Sequence, residues 1–441
     1  MSSLESQPPT GDSILRLLNQ LGVLQAHFVA GAGWDSDLRD LIATKPDVFV
    51  SLAVVALPNP SVVRPIESRT LLVTSELGPI AAQARQAQKA LPSLRLARLK
   101  DYPLAPWSDI AAERGEELLS LLKSFHAELA GGEMESRQLP PSEGEFEGIT
   151  CSVSGSGPPL VLLPLGLAPS QWEPLLPALG HSYCVIKLGG PRLGFLWILE
   201  NRAAGLVVPV ASVIDRLGLA PGQSVLDVGC GSGVFDRWLA HRMNKTVHVT
   251  ALDLNPYFLR EAGALARQEG IDEAIEFRQG NAEALPFEDG SFDATFSVTM
   301  LEEVDADKAL REMVRVTKPG GKVGVVVRGD VDMPVWANLP LRKDLKARIE
   351  ASGRGAGKSE KGCADASLYS RFHEAGLIAI EKLPQFYPVP REDGTNNQDG
   401  ISRARLEPDE VAEWDAAVAT ARASGTYFYA LPAHCAVGTK P

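Results

Sequence analysis

Three alternating glycines, Gly229, Gly231 and Gly233, directly follow an apolar run at 224–228 that contains Asp227. The run has the composition of a β-strand, and the residues after the glycines are typical of a helix. Glycine lets the backbone approach a ligand closely, and the N–H groups at the start of a helix favour an anionic or strongly polar group. The spacing predicts a ligand-binding turn, although the glycine pattern alone is weak evidence and a plain tight turn that joins strand to helix is the alternative.

A second acid, Asp253, ends the next apolar run and follows Gly229 by 24 residues. An acid at the end of the second strand can accept both hydroxyls of a ribose. Further strands are expected at 275–277, 292–298 and 322–327, with a helix at 305–316 and a turn at 318–321. This β–α repetition predicts a parallel sheet that binds its ligand at the carboxyl ends of the strands.

Five motifs occur in order in this region: VLDVGCGSG at 225–233, LDLN at 252–255, GNAEALPF at 280–287, SFD at 291–293 and KPGG at 318–321. Together they resemble the motifs of class I S-adenosylmethionine-dependent methyltransferases, in particular small-molecule enzymes of the ubiquinone/menaquinone-biosynthesis type. The resemblance covers residues 196–441. It implies an α/β fold with a Rossmann-like sheet in the strand order 3-2-1-4-5-7-6. It also implies S-adenosyl-L-methionine as cofactor and methyl transfer to an O, C or N atom of a small, hydrophobic metabolite.

Two other interpretations compete with this one. A Rossmann dehydrogenase also joins a glycine turn to a downstream acid, but its pattern would place glycine where this chain has Val234. The GNAEALPF and KPGG motifs have no dehydrogenase counterpart. A catalytically silent methyltransferase-fold scaffold or binding protein is the remaining alternative, and the intact glycine loop and Asp253 argue against it.

Carried onto this chain, the resemblance assigns a part of the cofactor to each motif. Asp227 and the glycine loop would hold the methionine part, Asp253 would take the ribose, and Leu254 would lie against the adenine. The family usually has Asp where this chain has Asn281, which predicts weaker or altered binding at that point. The implied cofactor-binding residues are Asp227, Gly229, Cys230, Gly231, Gly233, Asp253, Leu254, Asn281, Ala282, Ser297 and Thr299.

Methyl transfer mainly requires that donor and acceptor be held together away from water, so few catalytic side chains are needed. Glu303, just after the fourth expected strand, is the candidate base; a solvated carboxylate near a helix start is the competing interpretation. Residues 391–405 are a candidate lid or a plain surface loop. An apolar, aromatic lining for the acceptor is expected from Met333, Trp336, Phe386 and Tyr387.

The first two hundred residues faintly resemble an α/β-hydrolase whose segments are permuted. Residues 1–130 form a hydrolase-like, non-catalytic region, 131–148 a linker, and 149–195 further hydrolase-like strands that pack with the first region. A nucleophile elbow needs serine in G-x-S-x-G, and this chain has Ala32 at that place. Residues 102–107, where the histidine is expected, contain none. A non-catalytic α/β domain is therefore predicted ahead of the methyltransferase domain at 196–441.

Composition limits the partners. The 441 residues are 45% hydrophobic and carry 55 acidic against 43 basic side chains, a net charge of −12. This balance gives no attraction to nucleic acid or to anionic lipid, so we expect neither nucleic acid nor membrane as a partner. Five scattered cysteines favour a reducing compartment, and no metal site is predicted. We expect a cytoplasmic enzyme with a small-molecule acceptor, and a homodimer is compatible with the sequence.

Overall fold

The computed structural model describes residues 10–31, 41–56, 60–102, 104, 108–129, 137–166, 168–329, 331–351, 359–388, 406 and 408–441. The chain divides into two compact units, residues 1–198 and 199–441. Among the described helices, none has the length and apolar character that crossing a membrane requires.

The first unit is built on an eight-stranded sheet with strand order β4-β3-β2-β1-β7-β8-β6-β5. Strands β1 to β4, β7 and β8 run parallel, and β6 and β5 are antiparallel to their neighbours. The strands are β1 Ala26–Ala30, β2 Phe49–Val55, β3 Thr70–Ser75, β4 Arg95–Leu99, β5 Ser142–Phe146, β6 Ile149–Gly155, β7 Pro159–Leu162 and β8 Cys184–Gly189. The helices are α1 Thr10–Gln20, α2 Gly78–Ala90, α3 Ile110–Glu113, α4 Gly115–Leu129 and α5 Leu176–Gly180.

The central strands of this sheet are buried on both faces. Along β1, Phe28 packs into one hydrophobic cluster and Val29 into another. Parallel strands covered on both faces have continuous apolar sequences, which is why these runs are recognisable in the chain. The hydrolase resemblance stays a prediction; Ala32 of the expected elbow and residues 105–107 lie outside the described part of the chain.

Two expectations for this unit differ from the structure. Part of the expected linker, residues 142–146, is strand β5, which forms a hairpin with β6 through Glu147 and Gly148, both at positive φ. Its residues are mostly exposed at the sheet edge, so an acidic, polar sequence suffices there. The amphipathic pattern at 110–129 predicts one long helix, whereas the structure has two, α3 and α4. Asp109 caps the first by accepting a hydrogen bond from the Ala112 N–H.

A buried polar cluster lies inside the first unit. His27 stacks on His126 with ring centroids 4.0 Å apart. The His27 Nδ1 pairs with Ser51 Oγ at 2.7 Å, and the His126 Nδ1 pairs with the Tyr183 hydroxyl at 2.9 Å. Burial lowers the pKa of His27 to about 4. Burial, assisted by the neighbouring His27, lowers the pKa of His126 to about 3, so both imidazoles are neutral at pH 7.

The second unit contains a nine-stranded sheet in the order β11-β10-β9-β12-β13-β17-β14, with β15 and β16 also paired to β17. The strands are β9 Ser224–Val228, β10 His248–Asp253, β11 Ile275–Gln279, β12 Phe292–Val298, β13 Thr317–Arg328, β14 Trp336–Ala337, β15 Ile378–Lys382, β16 Gln385–Pro388 and β17 Tyr429–Thr439. The helices are α6 Gly194–Leu217, in which the division between the units falls, α7 Val234–Arg242, α8 Pro256–Gln268, α9 Ala306–Val316, α10 Lys343–Glu350, α11 Ser367–Glu374 and α12 Pro408–Ala423.

This topology confirms the predicted α/β class and the methyltransferase-type sheet. Strands β9 to β13 take the places of strands one to five, and the antiparallel β17 takes the place of the seventh. The place of the sixth is shared by β15 and β16. One detail differs: the turn expected at 318–321 lies within β13. The register against β12 shifts there, and Gly320 and Gly321 instead exchange backbone hydrogen bonds with Lys440.

Candidate functional site

The carboxyl ends of β9 and β10 place the glycine loop beside Asp253. Its two carboxylate oxygens accept hydrogen bonds from backbone N–H groups, Oδ2 from Gly231 at 2.9 Å and Oδ1 from Asn255 at 2.9 Å. Burial raises the pKa of Asp253, and the backbone donors oppose that rise. The carboxylate is therefore fixed at the strand end, and each oxygen keeps acceptor capacity for a hydroxyl group.

The first glycine of the loop is required for packing as well as for backbone shape. Gly229 has φ +85°, and a Cβ atom built there would overlap the Met300 side chain. Met300 follows β12, so the segment after this strand lies directly against the loop. Any larger residue at 229 would push the two strand ends apart.

Helix α6 is hydrogen-bonded to the glycine loop through Glu200. Glu200 accepts hydrogen bonds from Ser232 Oγ and from Arg237 Nη2, each at 2.6 Å. Arg237 also donates to the Ser232 carbonyl at 2.7 Å and to Glu269 at 2.8 Å, and its side chain is only 6% exposed. These bonds tie the loop to two helices and fix its shape before any ligand arrives.

Asp227 lies beneath the loop and not at its surface. Its side chain is 2% exposed, and Asp236 in the first turn of α7 is fully buried beside it. Burial, and then the charge of Asp236, raise the pKa of Asp227 well above its ordinary value. Cys230 is buried too and packs in the core on the α7 side of the sheet.

The adenine-side candidates lie next to Asp253 and differ in accessibility. Leu254 is 67% exposed, which leaves its side chain available to a flat ring. Asn281 is exposed, and its Oδ1 accepts a hydrogen bond from the Glu283 N–H at 2.9 Å. Ala282 is buried. The Asn281 carbonyl therefore already shapes its own turn, a use that the sequence pattern did not indicate.

The two candidates at the end of β12 have structural roles. Ser297 is buried, and its hydroxyl donates to the Val228 carbonyl at 2.8 Å, which joins β12 to β9. Thr299 has φ +52°, an uncommon conformation for a β-branched residue, and its N–H donates to Val326 at 2.7 Å. Strain of this kind is concentrated at functional sites, and it lies at the strand end that faces the glycine loop.

Glu303, the candidate base, is ion-paired. Its Oε1 accepts from Arg328 Nη2 at 2.9 Å, and the fully buried Glu302 accepts from the Arg328 backbone N–H at 2.8 Å. Arg328 thus links the segment after β12 to the end of β13. Glu303 stands at the carboxyl edge of the sheet, where the sequence places it, and its charge is partnered.

Comparison with known proteins decides the family. The family described as "Methyltransferase domain" matches residues 226–325. The ubiquinone/menaquinone biosynthesis C-methyltransferase UbiE of Hahella chejuensis is 35% identical over 175 residues, which cover 37% of this chain and 70% of that protein. The demethylmenaquinone methyltransferase of Lactococcus lactis is 32% identical over 182 residues, covering 39% of this chain and 72% of that protein. The chain belongs to the S-adenosylmethionine-dependent methyltransferases.

Among the solved structures that match is the geranyl diphosphate C-methyltransferase of Streptomyces coelicolor A3(2). The two chains are 20% identical. The match covers 52% of this chain and 78% of the other, with a TM-score of 0.32. That structure holds Mg2+, geranyl diphosphate and S-adenosyl-L-homocysteine.

In the methyltransferase domain, residues 199–441, the acceptor candidates do not form one lining. Trp336 is 61% exposed, and its ring lies 5.5 Å from that of Phe386, which is 37% exposed. Tyr387 points the other way and is buried in the core, because neighbouring residues of β16 alternate between faces. Met333 lies close to Gly329 and His434. The candidate lid at 391–405 lies outside the described residues.

Sequence reasoning missed a hydrogen-bonded chain at the same edge of the methyltransferase sheet. The Tyr369 hydroxyl pairs with His434 Nδ1 at 3.0 Å, and His434 Nε2 pairs with Asp332 Oδ1 at 2.9 Å. The carboxylate fixes the tautomer, so His434 Nδ1 accepts from the tyrosine. Burial raises the pKa of Tyr369 to about 12. The three residues are far apart in the chain, and no motif links them.

Proposed function

We propose that the protein uses S-adenosyl-L-methionine to methylate a small, apolar metabolite. The observation that carries the proposal is the carboxylate of Asp253, held at the end of β10 by the Gly231 and Asn255 N–H groups beside a preformed glycine loop. When bound, the cofactor supplies a methyl group on a sulfonium centre, so the protein has to bind, orient and exclude water.

The residues present fit a nucleoside with a charged side arm. Asp253 keeps acceptor capacity for two ribose hydroxyls, and the exposed Leu254 offers an apolar surface to the base. Glycine at 229 and 231 keeps the loop thin, so a ligand can approach its backbone closely. Asp227 lies below the loop, on the side that we assign to the methionine part, and carries negative charge there only when ionised.

An apolar acceptor is supported by the exposed aromatic pair of Trp336 and Phe386. Together the two rings form a contiguous apolar patch, and such patches mark binding surfaces when they are large. The relatives named for ubiquinone and menaquinone biosynthesis are also consistent with an apolar, ring-containing acceptor.

If the acceptor is a hydroxyl group or an acidic carbon, its proton must be removed during transfer. Glu303 is the candidate base, and its ion pair with Arg328 holds it at the sheet edge.

Isothermal titration with S-adenosylmethionine tests cofactor use. Wild type should bind at micromolar concentrations. Asp253→Ala should weaken binding by at least about 100-fold, since two hydrogen bonds to a charged group contribute about 1.5 kcal/mol or more each. No binding at tens of micromolar, or equal binding by the variant, contradicts the proposal.

Transfer of labelled methyl groups tests activity. The full chain and labelled cofactor are incubated with an organic-solvent extract of small metabolites, and the label is followed into new products. Label in an apolar small molecule supports the proposal. Binding without any transfer to metabolites would instead favour the catalytically silent scaffold.

A further inference from the structure

Two acidic side chains, Asp227 and Asp236, meet in the interior beneath the glycine loop. Asp236 is 0% exposed and Asp227 is 2% exposed. Within the described residues, three of the four carboxyl oxygens have no hydrogen-bond donor: both oxygens of Asp236 and the Oδ1 of Asp227. The two carboxyl groups lie side by side, since the charge of Asp236 is one of the causes that raise the pKa of Asp227. A proton on one of them makes this arrangement favourable, because two carboxylates repel each other and have acceptors alone.

The charges around the pair favour keeping that proton. Asp253 lies near the pair and adds negative charge when ionised, whereas burial raises the pKa of the Cys230 thiol and keeps it neutral. Arg237, on the same helix as Asp236, opposes the rise in the pKa of Asp236. Its guanidinium is already bound to Glu200 and Glu269. Two buried like charges cannot both ionise at reasonable cost, so the cofactor-free protein holds one proton there.

We propose that Asp227 and Asp236 form a proton-holding pair that loses its proton to solvent when the cationic cofactor binds to the glycine loop. The inference rests on the proposed function, because S-adenosylmethionine supplies the cation: its ammonium and sulfonium charges exceed its single carboxylate. A positive charge brought close to a buried acid favours the ionised form. Asp236 then affects cofactor binding indirectly, through the proton that it shares with Asp227. Because binding releases this proton, the affinity for the cofactor rises as the pH rises.

The direction of the pH dependence follows from the pKa of the pair before and after the cofactor binds. Burial raises the pKa of Asp236 in the cofactor-free protein, with Arg237 opposing the rise, and the bound cation lowers it again. Between these two pKa values, binding releases up to one proton, and affinity improves by up to about tenfold per pH unit. Above the higher value both states are ionised, and affinity no longer depends on pH.

Calorimetric titration of the full chain with S-adenosylmethionine measures the released proton directly. The binding heat is compared at one pH, about 6, in buffers of different ionisation enthalpy, and the affinity is followed from about pH 5.5 to 8.5. We expect release of roughly half to one proton for wild type. Asp236→Asn should abolish both the release and the pH dependence, because its amide can donate to Asp227 but cannot titrate.

Asp215→Asn is the matched control. Asp215 is an exposed carboxylate that pairs with Arg242 of α7 at 2.7 Å, so this variant should release protons as wild type does. The inference fails if wild type binds without proton release, or if Asp236→Asn releases as many protons as wild type. If Asp236→Asn does not fold, the proton release measured on wild type alone tests the inference. Absence of any binding by wild type would instead refute the proposed function.

Discussion

Removing the carboxylate of Glu200 should loosen the glycine loop. In Glu200→Gln, the amide nitrogen replaces one acceptor, so either Arg237 or Ser232 loses its 2.6 Å partner. A hydrogen bond to a charged group contributes about 1.5–3 kcal/mol, and Glu269 still holds Arg237. We therefore expect a loss of about 2 kcal/mol in the stability of the methyltransferase domain. That corresponds to a fall in its Tm of about 4–8 °C.

The assay is differential scanning calorimetry of the full chain. S-adenosylmethionine identifies the transition of the methyltransferase domain, because a ligand raises the Tm of the unit that binds it. Glu276→Gln is the control: its ion pair with Arg278 has the same chemistry but is exposed, so the change should stay below about 0.5 kcal/mol. A Glu200→Gln transition within about 1 °C of wild type would refute this account of how the loop is held.

Two further predictions concern the glycine loop and the buried histidines of the first unit. Gly229→Ala should weaken cofactor binding by at least about tenfold, measured by titration, because its Cβ would overlap Met300 and its φ of +85° strains any side chain; unchanged affinity would contradict this. The first unit should lose stability below about pH 6.5, because the pKa values of His27 and His126 are lower when folded than when unfolded. The free energy of unfolding is not reduced above the pKa of unfolded histidine, about 6.5, and by pH 5.5 each of the two histidines should reduce it by about 1.4 kcal/mol. Thermal melts between pH 8 and 5.5 measure the effect, and melts that do not change with pH would contradict it.

The sequence predicts well where local pattern and tertiary structure agree. Strands β9 and β12 begin and end at the expected residues, because buried parallel strands are continuous apolar runs between glycine or acidic boundaries. The position of Asp253 beside the glycine loop follows from the β–α–β order alone. Leu254 is exposed next to it, at the place that the family resemblance assigns to the adenine.

Features that depend on distant pairings could not be predicted. Strand β5 is polar because it lies at an edge, so its sequence resembles a linker. Tyr387 and Phe386 are adjacent in the chain, yet one is buried and the other exposed, and only the pairing of β16 with β17 determines which. The contact between Asp227 and Asp236 likewise depends on how α7 packs under the loop.

Strand β17 pairs with four partners, β13, β14, β15 and β16, and follows all of them in the chain. During synthesis these partners emerge from the ribosome before the strand that joins them, so one side of β13 has no neighbour until residues 429–439 are made. An unpaired strand edge invites association with other chains. The nascent domain therefore passes through an interval in which this edge is open, and premature termination anywhere before residue 429 would leave an aggregation-prone product.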